Sequence, residues 1–426
     1  MPEIYRSLLI LICMSLLVWG LIRIERIYQY PFFMGAIFVS FLIPQTASLI
    51  ANPGLLNQDA LARVLLMSCL CAIACWIGYQ GKPNQKFINH FNINLNETKL
   101  FQIALILTFL GYFFNYLIDQ SDIQRSDTNG NWTGEATIYY FFAQVIYIAF
   151  SVFLLRAIRY PSMLNIILAS TAGWIPLQTV LGGRRQPTMT FVIIVGLSFW
   201  LVRRYLPPRW LIILTIFLMS LLLLAIGELR GLFWELLFSG KWNAILSTIQ
   251  EQLAIQQTGE ILELKNAAYY IDAVTALNLY GLGSGWWDSV VFQYVPGQLL
   301  GFGLKVSLQF NLITNETLYN LYGYSVHVGT TTTGVGDSFM EFGYLGCLSF
   351  ALIGYLFKNL WISAYYNKSF CSSILYMGLV SPAMLALTHG IGRFLQEAIF
   401  QISIVFLIVL YSKQESKNNR YLTPGY

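Results

Sequence analysis

Apolar runs of about 20 residues recur from one end of the chain to the other, each long enough to carry a helix across the hydrocarbon core of a bilayer. About eleven can be placed by that criterion, near residues 7–21, 31–50, 60–79, 100–117, 138–155, 163–181, 188–202, 211–226, 339–357, 373–387 and 394–411. Only 11% of residues are charged against 56% hydrophobic, and the mean hydropathy is +0.59, which excludes a soluble globular chain. The sequence therefore predicts an all-α polytopic membrane protein, a single integral domain over residues 1–426. No small-residue cleavage site precedes Arg23 and Glu25, so the first run reads as a span and not as a removable signal.

The runs stop once. From Arg230 to Glu341, about 110 residues pass without a span, where about 20 would suffice for one. This segment, 227–337 between the eighth and ninth runs, is expected to roof a site if the chain has one. Within it Ile245, Leu246, Ile249 and Leu253 recur at helical spacing, as do Leu264, Ala268, Ile271 and Val274, so amphipathic helices are expected at the surface or across a cavity mouth. The glycines between Tyr280 and Lys305, beside Trp286 and Trp287, argue for a re-entrant or interfacial stretch and against a continuous span.

Lysine and arginine set the orientation. Arg23 and Arg26, Lys82, Lys86 and Lys99, Arg156 and Arg159, Arg203, Arg204 and Arg209, Lys358 and Lys368, and Lys413, Lys417 and Arg420 make every second connection basic, which places those connections inside the cell. The net charge of +5 is thus largely topological, and no nucleic-acid partner is implied. Four arginines break the pattern: Arg184, Arg185, Arg230 and Arg393 fall on the outer side. Each alone can be read as snorkelling to headgroups, but four on one side point to a bound anion.

The turn Gly182-Gly183-Arg184-Arg185-Gln186-Pro187 would hold two guanidinium groups on a short, stiff connection, and arginine forks match phosphate oxygens. Gly227-Glu228-Leu229-Arg230-Gly231 lies where the eighth run meets the outer surface. Of three histidines, His327 lies in the outer segment; with Asp337 and Glu341 it is a candidate general base, while His389 stands near Arg393. A hydrogen-bonded structural role competes for His327, and a helix cap competes for Asp337. Asp337 and Glu341, four apart, would share a helix face. The run Thr330 to Thr333 is either a solvated loop or a set of hydrogen-bonding hydroxyls. Cys71 and Cys75 have no further Cys or His beside them and read as core, and no P-loop or zinc cluster occurs, so neither metal, nucleotide nor other cofactor is expected.

Gly182-Gly183-Arg184-Arg185, the span ending in Gly227-Glu228-Leu229-Arg230-Gly231, and the stretch from Thr333-Gly334-Val335-Gly336-Asp337 to Leu345-Gly346 resemble the bacterial oligosaccharide repeat unit polymerases, the Wzy-like O-antigen polymerase family. The resemblance covers most of the chain in layout but only these patches in residues. It implies a GT-C-type integral membrane glycosyltransferase of the cell inner membrane, active at the periplasmic face. Such an enzyme transfers a growing glycan from undecaprenyl diphosphate to the nonreducing end of a new lipid-linked repeat unit, with a flippase and a chain-length regulator as partners. By that resemblance Arg184, Arg185 and Arg230 hold the donor diphosphate with Arg393 in support. His327 is a candidate base by analogy with the O-antigen ligases, and Asp337 or Glu341 is the alternative. A ligase, using the same donor with another acceptor, and a polysaccharide flippase or transporter are the competing readings.

Overall fold

The computed structural model describes residues 1–121, 124–125, 132–133, 135–229, 232–258, 262–327 and 329–413. The chain is a polytopic helical membrane protein. Among the described residues, ten helices are long and apolar enough to cross a membrane: α1 (Pro2–Ile22), α2 (Tyr30–Ala51), α3 (Gln58–Gln80), α4 (Glu97–Gln120), α5 (Glu135–Arg159), α6 (Met163–Leu181), α7 (Arg185–Arg203), and, after the polar segment, α9 (Thr333–Tyr365), α10 (Phe370–His389) and α11 (Ile391–Ser412). Between them α8 (Arg209–Glu228) is a further 20-residue helix on the run expected at 211–226. Outside the helices, Gln124–Arg125 pairs antiparallel with Trp132–Thr133, and an isolated bridge joins Leu95 to Lys413.

Side chains that satisfy free N–H groups set where these helices begin. Asn57 caps α3 by accepting from Ala60 N at 2.8 Å, Asn96 accepts from Thr98 and Lys99 at the start of α4, and Ser369 accepts from Ser372 N at the start of α10. Three helices are interrupted. α2 widens to a π-helical turn over Phe38–Leu42, α5 breaks at Gln144, and α9 passes through a 3₁₀ turn at Gly343–Cys347.

α10 is the centre of the bundle: 89% of its apolar window is buried, where no other span exceeds 61%. A helix apolar on every face is stable only when wrapped by protein or lipid, and α2, α5, α7, α9 and α11 wrap this one. Small residues let backbones close up where hydrophobic force between helices is weak. A Cβ on Gly78 of α3 would stand 1.9 Å from Ala351 O of α9, and one on Gly334 would stand 1.9 Å from Ala386 O of α10.

The basic connections meet at one end of the bundle. Asn96 N donates to Ser412 O at 2.7 Å, Arg204 Nη2 to Tyr365 O at 3.1 Å, Arg209 Nη2 to Ile22 O at 3.3 Å, and Asn84 N to Asn359 Oδ1 at 2.7 Å. The polar segment gathers at the other end, against the connections near Asn52 and His389. There Leu264 N donates to Gln45 Oε1, Leu55 N to the Tyr269 hydroxyl, and Gln396 Nε2 to Ser289 O. Its helix Glu263–Leu277 is not a surface helix: Leu264, Ala268, Ile271 and Val274 are fully buried, wedged against α3 and the start of α9. Helix Trp242–Thr258 keeps only part of the expected apolar face: Ile245 is buried and Ile249 half-buried, but Leu246 and Leu253 are exposed. The glycine-rich stretch becomes a helix, Ser284–Tyr294, laid on α11, followed by two short turns, Gly297–Leu300 and Phe302–Ser307.

Candidate functional site

A polar stripe runs down α11. Arg393, Glu397 and Gln401 are spaced by four residues, so they stack on one face of the helix. Gln401 lies ten residues in, about 15 Å at 1.5 Å per residue, near the middle of an apolar slab about 30 Å thick. Arg393 bridges the two groups nearest it: Nη2 donates to Glu397 Oε1 at 2.6 Å and Nη1 to Gln396 Oε1 at 3.1 Å. Glu397 is 7% exposed and Gln401 6%, and Gln401 Oε1 meets no donor among the described residues.

The stripe faces a small chamber closed by α5, α7 and α10. Tyr140, Gln144 and Tyr147 line it from α5, Gln186, Pro187 and Thr190 from α7, and Gly378 and Pro382 from α10. The chamber measures about 40 Å³, room for a water or two. Its walls are irregular for identifiable reasons. Pro382 lacks the N–H that the Gly378 carbonyl would accept from in a regular helix, and α5 is broken at Gln144. Backbone of this kind is tolerated at membrane depth only where protein or a polar cavity satisfies it. Gly378 is small because the Gln401 carboxamide stands against it; a Cβ there would come within 2.7 Å of Oε1.

The double-glycine turn places Arg184 beside the chamber, against Tyr140. Gly182 N donates to Gln178 O at 2.8 Å and Gly183, at φ +71°, donates to Val180 O, ending α6; Arg184 then stands as the residue before α7. Its guanidinium carbon lies 5.5 Å from the ring centre of Tyr140, on the chamber wall. Trp234 Nε1 donates to Val180 O at 3.0 Å and ties the start of the polar segment to this turn. Arg393 thus lines the chamber, and Arg184 stands next to it against Tyr140. Arg185 opens α7, but its side chain lies outside the described residues, as does Arg230 altogether.

The three candidate bases are placed elsewhere. His327 is exposed on a loop, its backbone carbonyl accepting from Thr330. Asp337 and Glu341 share a face of the helical turn Thr333–Phe342, and both hold backbone. Asp337 Oδ2 accepts from Ile391 N at 2.6 Å, Gly392 N at 3.4 Å and Trp286 Nε1 at 3.1 Å. It caps a helix, though α11 and not its own, one turn from Arg393. Glu341 accepts from Gly283 N at 2.6 Å and Gly285 N at 3.1 Å, fixing the start of Ser284–Tyr294. The threonine run is not a solvated loop: Asn266 Nδ2 donates to Thr330 Oγ1 and Thr331 O, both at 2.9 Å, Thr331 donates to Thr388 O, and Thr333 is fully buried. His389 pairs its Nδ1 with the neighbouring Thr388 hydroxyl at 2.7 Å.

Comparison with family models, with curated proteins and with solved structures finds no match. The site therefore stands on its own geometry. Two of its residues were not singled out in the sequence. Glu397 and Gln401 sit inside an apolar run, yet ionisable and amide side chains at that depth mark a function by default, which is the signal that would have found them. Away from the chamber, Arg63 near the start of α3 meets Asp272 at 3.4 Å, and Asp272 also accepts from the Tyr322 hydroxyl at 2.8 Å. Burial first, then that carboxylate, hold the Tyr322 hydroxyl above the ordinary tyrosine range. Among the described residues no three His, Cys, Asp or Glu side chains come together as a metal site, and all six cysteines are free thiols.

Proposed function

We propose that the protein is a GT-C-type glycosyltransferase of the bacterial inner membrane that polymerises undecaprenyl-diphosphate-linked oligosaccharide repeat units at the periplasmic face. The observation that carries this reading is Arg393 lining the chamber with Arg184 beside it against the Tyr140 ring, at the end of the bundle away from the basic connections. In the reaction, the bond from the donor sugar's anomeric carbon to the diphosphate oxygen breaks. A bond from that carbon to the acceptor hydroxyl oxygen forms, and undecaprenyl diphosphate leaves with the electron pair.

Negative charge grows on the leaving phosphate, and guanidinium groups already oriented for it favour the transition state over the ground state. Glu397 is the carboxylate on the chamber wall and takes the proton released by the acceptor hydroxyl. Asp337 and Glu341 act as positioning residues, since their oxygens are engaged by backbone N–H groups. A chamber of about 40 Å³ admits no sugar, so donor binding parts the helices, and Gln144 and Pro382 are the points where α5 and α10 bend most cheaply.

The test is glycan length in a host lacking its own polymerase, complemented with wild type, Arg184→Ala or Arg393→Ala. Both variants are expected to leave single repeat units or short chains at normal protein levels. Wild-type length from both would remove the arginines from the mechanism. A second reading, transport of a lipid-linked glycan, is favoured by the mid-membrane stripe and the proline inside helix α10. Accumulation of unpolymerised units on the outer leaflet distinguishes a lost polymerase from a lost transporter, which would strand them on the inner one.

A further inference from the structure

A basic recess lies at the opposite end from the chamber. It measures about 690 Å³, within the range of small-molecule and lipid-headgroup sites. Arg159 comes from the end of α5, Arg203 and Arg204 from the end of α7, and Lys368 from the connection between α9 and α10. No acidic residue lines it among those described.

Two ordinary explanations account for part of this. Lysines and arginines belong at the inner end of a membrane protein, and Arg159 and Arg203 stand in the last turns of helices, where cations offset the dipole. Neither requires cations from three separate places to surround one hollow. Arg204 and Lys368 do so from left-handed backbone, at φ +58° and +52°, a conformation that residues with a Cβ rarely adopt. Arg204 is held there by its bond to Tyr365 O and by stacking at 3.9 Å over the Tyr365 ring, while its Nη1 meets no acceptor among the described residues. The first turn of α10 adds a positive helix end, with Phe370 and Ser373 on the recess wall. Leu155, Leu201 and Val202 make the remainder apolar.

We propose that this recess binds the phosphate of an anionic lipid headgroup, with the guanidinium and ammonium groups on the phosphate oxygens and the apolar wall against the upper acyl chain. Charge, volume and the mixed lining together fit a phosphate carried on hydrocarbon. The site is independent of the transferase reading.

The experiment uses the full chain in nanodiscs of phosphatidylcholine, with cardiolipin titrated in, and follows the thermal unfolding midpoint. Wild type is expected to show saturable stabilisation. Arg203→Ala/Lys368→Ala, both exposed positions, is expected to need at least about tenfold more cardiolipin, since a charged hydrogen bond lost on each side exceeds the 1.4 kcal/mol of one decade. Arg23→Ala removes a cation from the same end but outside the recess and is expected to leave the titration unchanged. Inorganic phosphate added to cardiolipin-free discs separates the sources: saturable stabilisation by it, lost in the double variant, assigns the recess to a soluble phosphate instead of a lipid. An unchanged titration in the double variant, or an equal loss in Arg23→Ala, would overturn the proposal in favour of diffuse surface charge.

Discussion

At the scale of single residues, the tightest constraint is the pair Arg393 and Glu397. The glutamate side chain is 8% exposed and the arginine 30%, so the carboxylate depends on its partner more than the reverse. Removing one member of a fully buried pair costs about 3–5 kcal/mol, and partial exposure of the arginine lowers the expectation to about 1–3 kcal/mol for Arg393→Ala. The double variant Arg393→Ala/Glu397→Ala should recover part of that loss, because no lone charge remains. Unfolding midpoints in one detergent measure both; an additive double variant would show the two are not coupled. Arg393 could be picked out from the sequence because it stands against the charge pattern at the end of a run. Glu397 and Gln401 could not be reached by hydropathy, since averaging over a span-length window absorbs two polar residues; only their four-residue spacing carries the stripe.

At the scale of elements, Asp337 joins three pieces that are far apart in sequence: α9, the start of α11 and the helix Ser284–Tyr294. Asp337→Ala should cost about 2 kcal/mol or more, through the lost cap and the donors left without an acceptor. Hydrogen exchange should rise at residues 284–294 and 391–394 before it rises elsewhere; uniform protection would mean the link is redundant. The spans themselves were legible, with caps such as Asn96 and Ser369 shifting their ends by a few residues. α9 was not: it begins at Thr333, ahead of the expected 339, because Thr-Thr-Thr-Gly reads as loop until Asn266 and Thr388 supply its hydrogen bonds from distant helices. Gly334 is the companion case. A side chain there meets the Ala386 carbonyl, which is backbone and cannot swing aside, so Gly334→Ala should destabilise by about 1–3 kcal/mol. Gly303→Ala, with nothing within 4 Å, should be neutral or slightly stabilising, and thermal unfolding compares them directly.

At the scale of the whole molecule, everything depends on which end faces which compartment. Hydrogen bonds collect the basic connections at one end and the polar segment at the other, and positive charge is retained on the inner side of bacterial membranes. By that rule the end that carries the chamber is expected to face outward and the basic recess inward. Single cysteines settle this with little background, because five of the six native thiols are buried and Cys347 is half-buried. Ser239→Cys lies exposed on the polar segment, and Asn89→Cys lies exposed among the basic connections. With Cys347 replaced by serine, an impermeant maleimide should label position 239 in intact spheroplasts and position 89 only after permeabilisation. The reverse pattern would turn the chamber toward the cytoplasm, where its arginines would merely follow the charge rule, and a periplasmic polymerase would lose its physical basis.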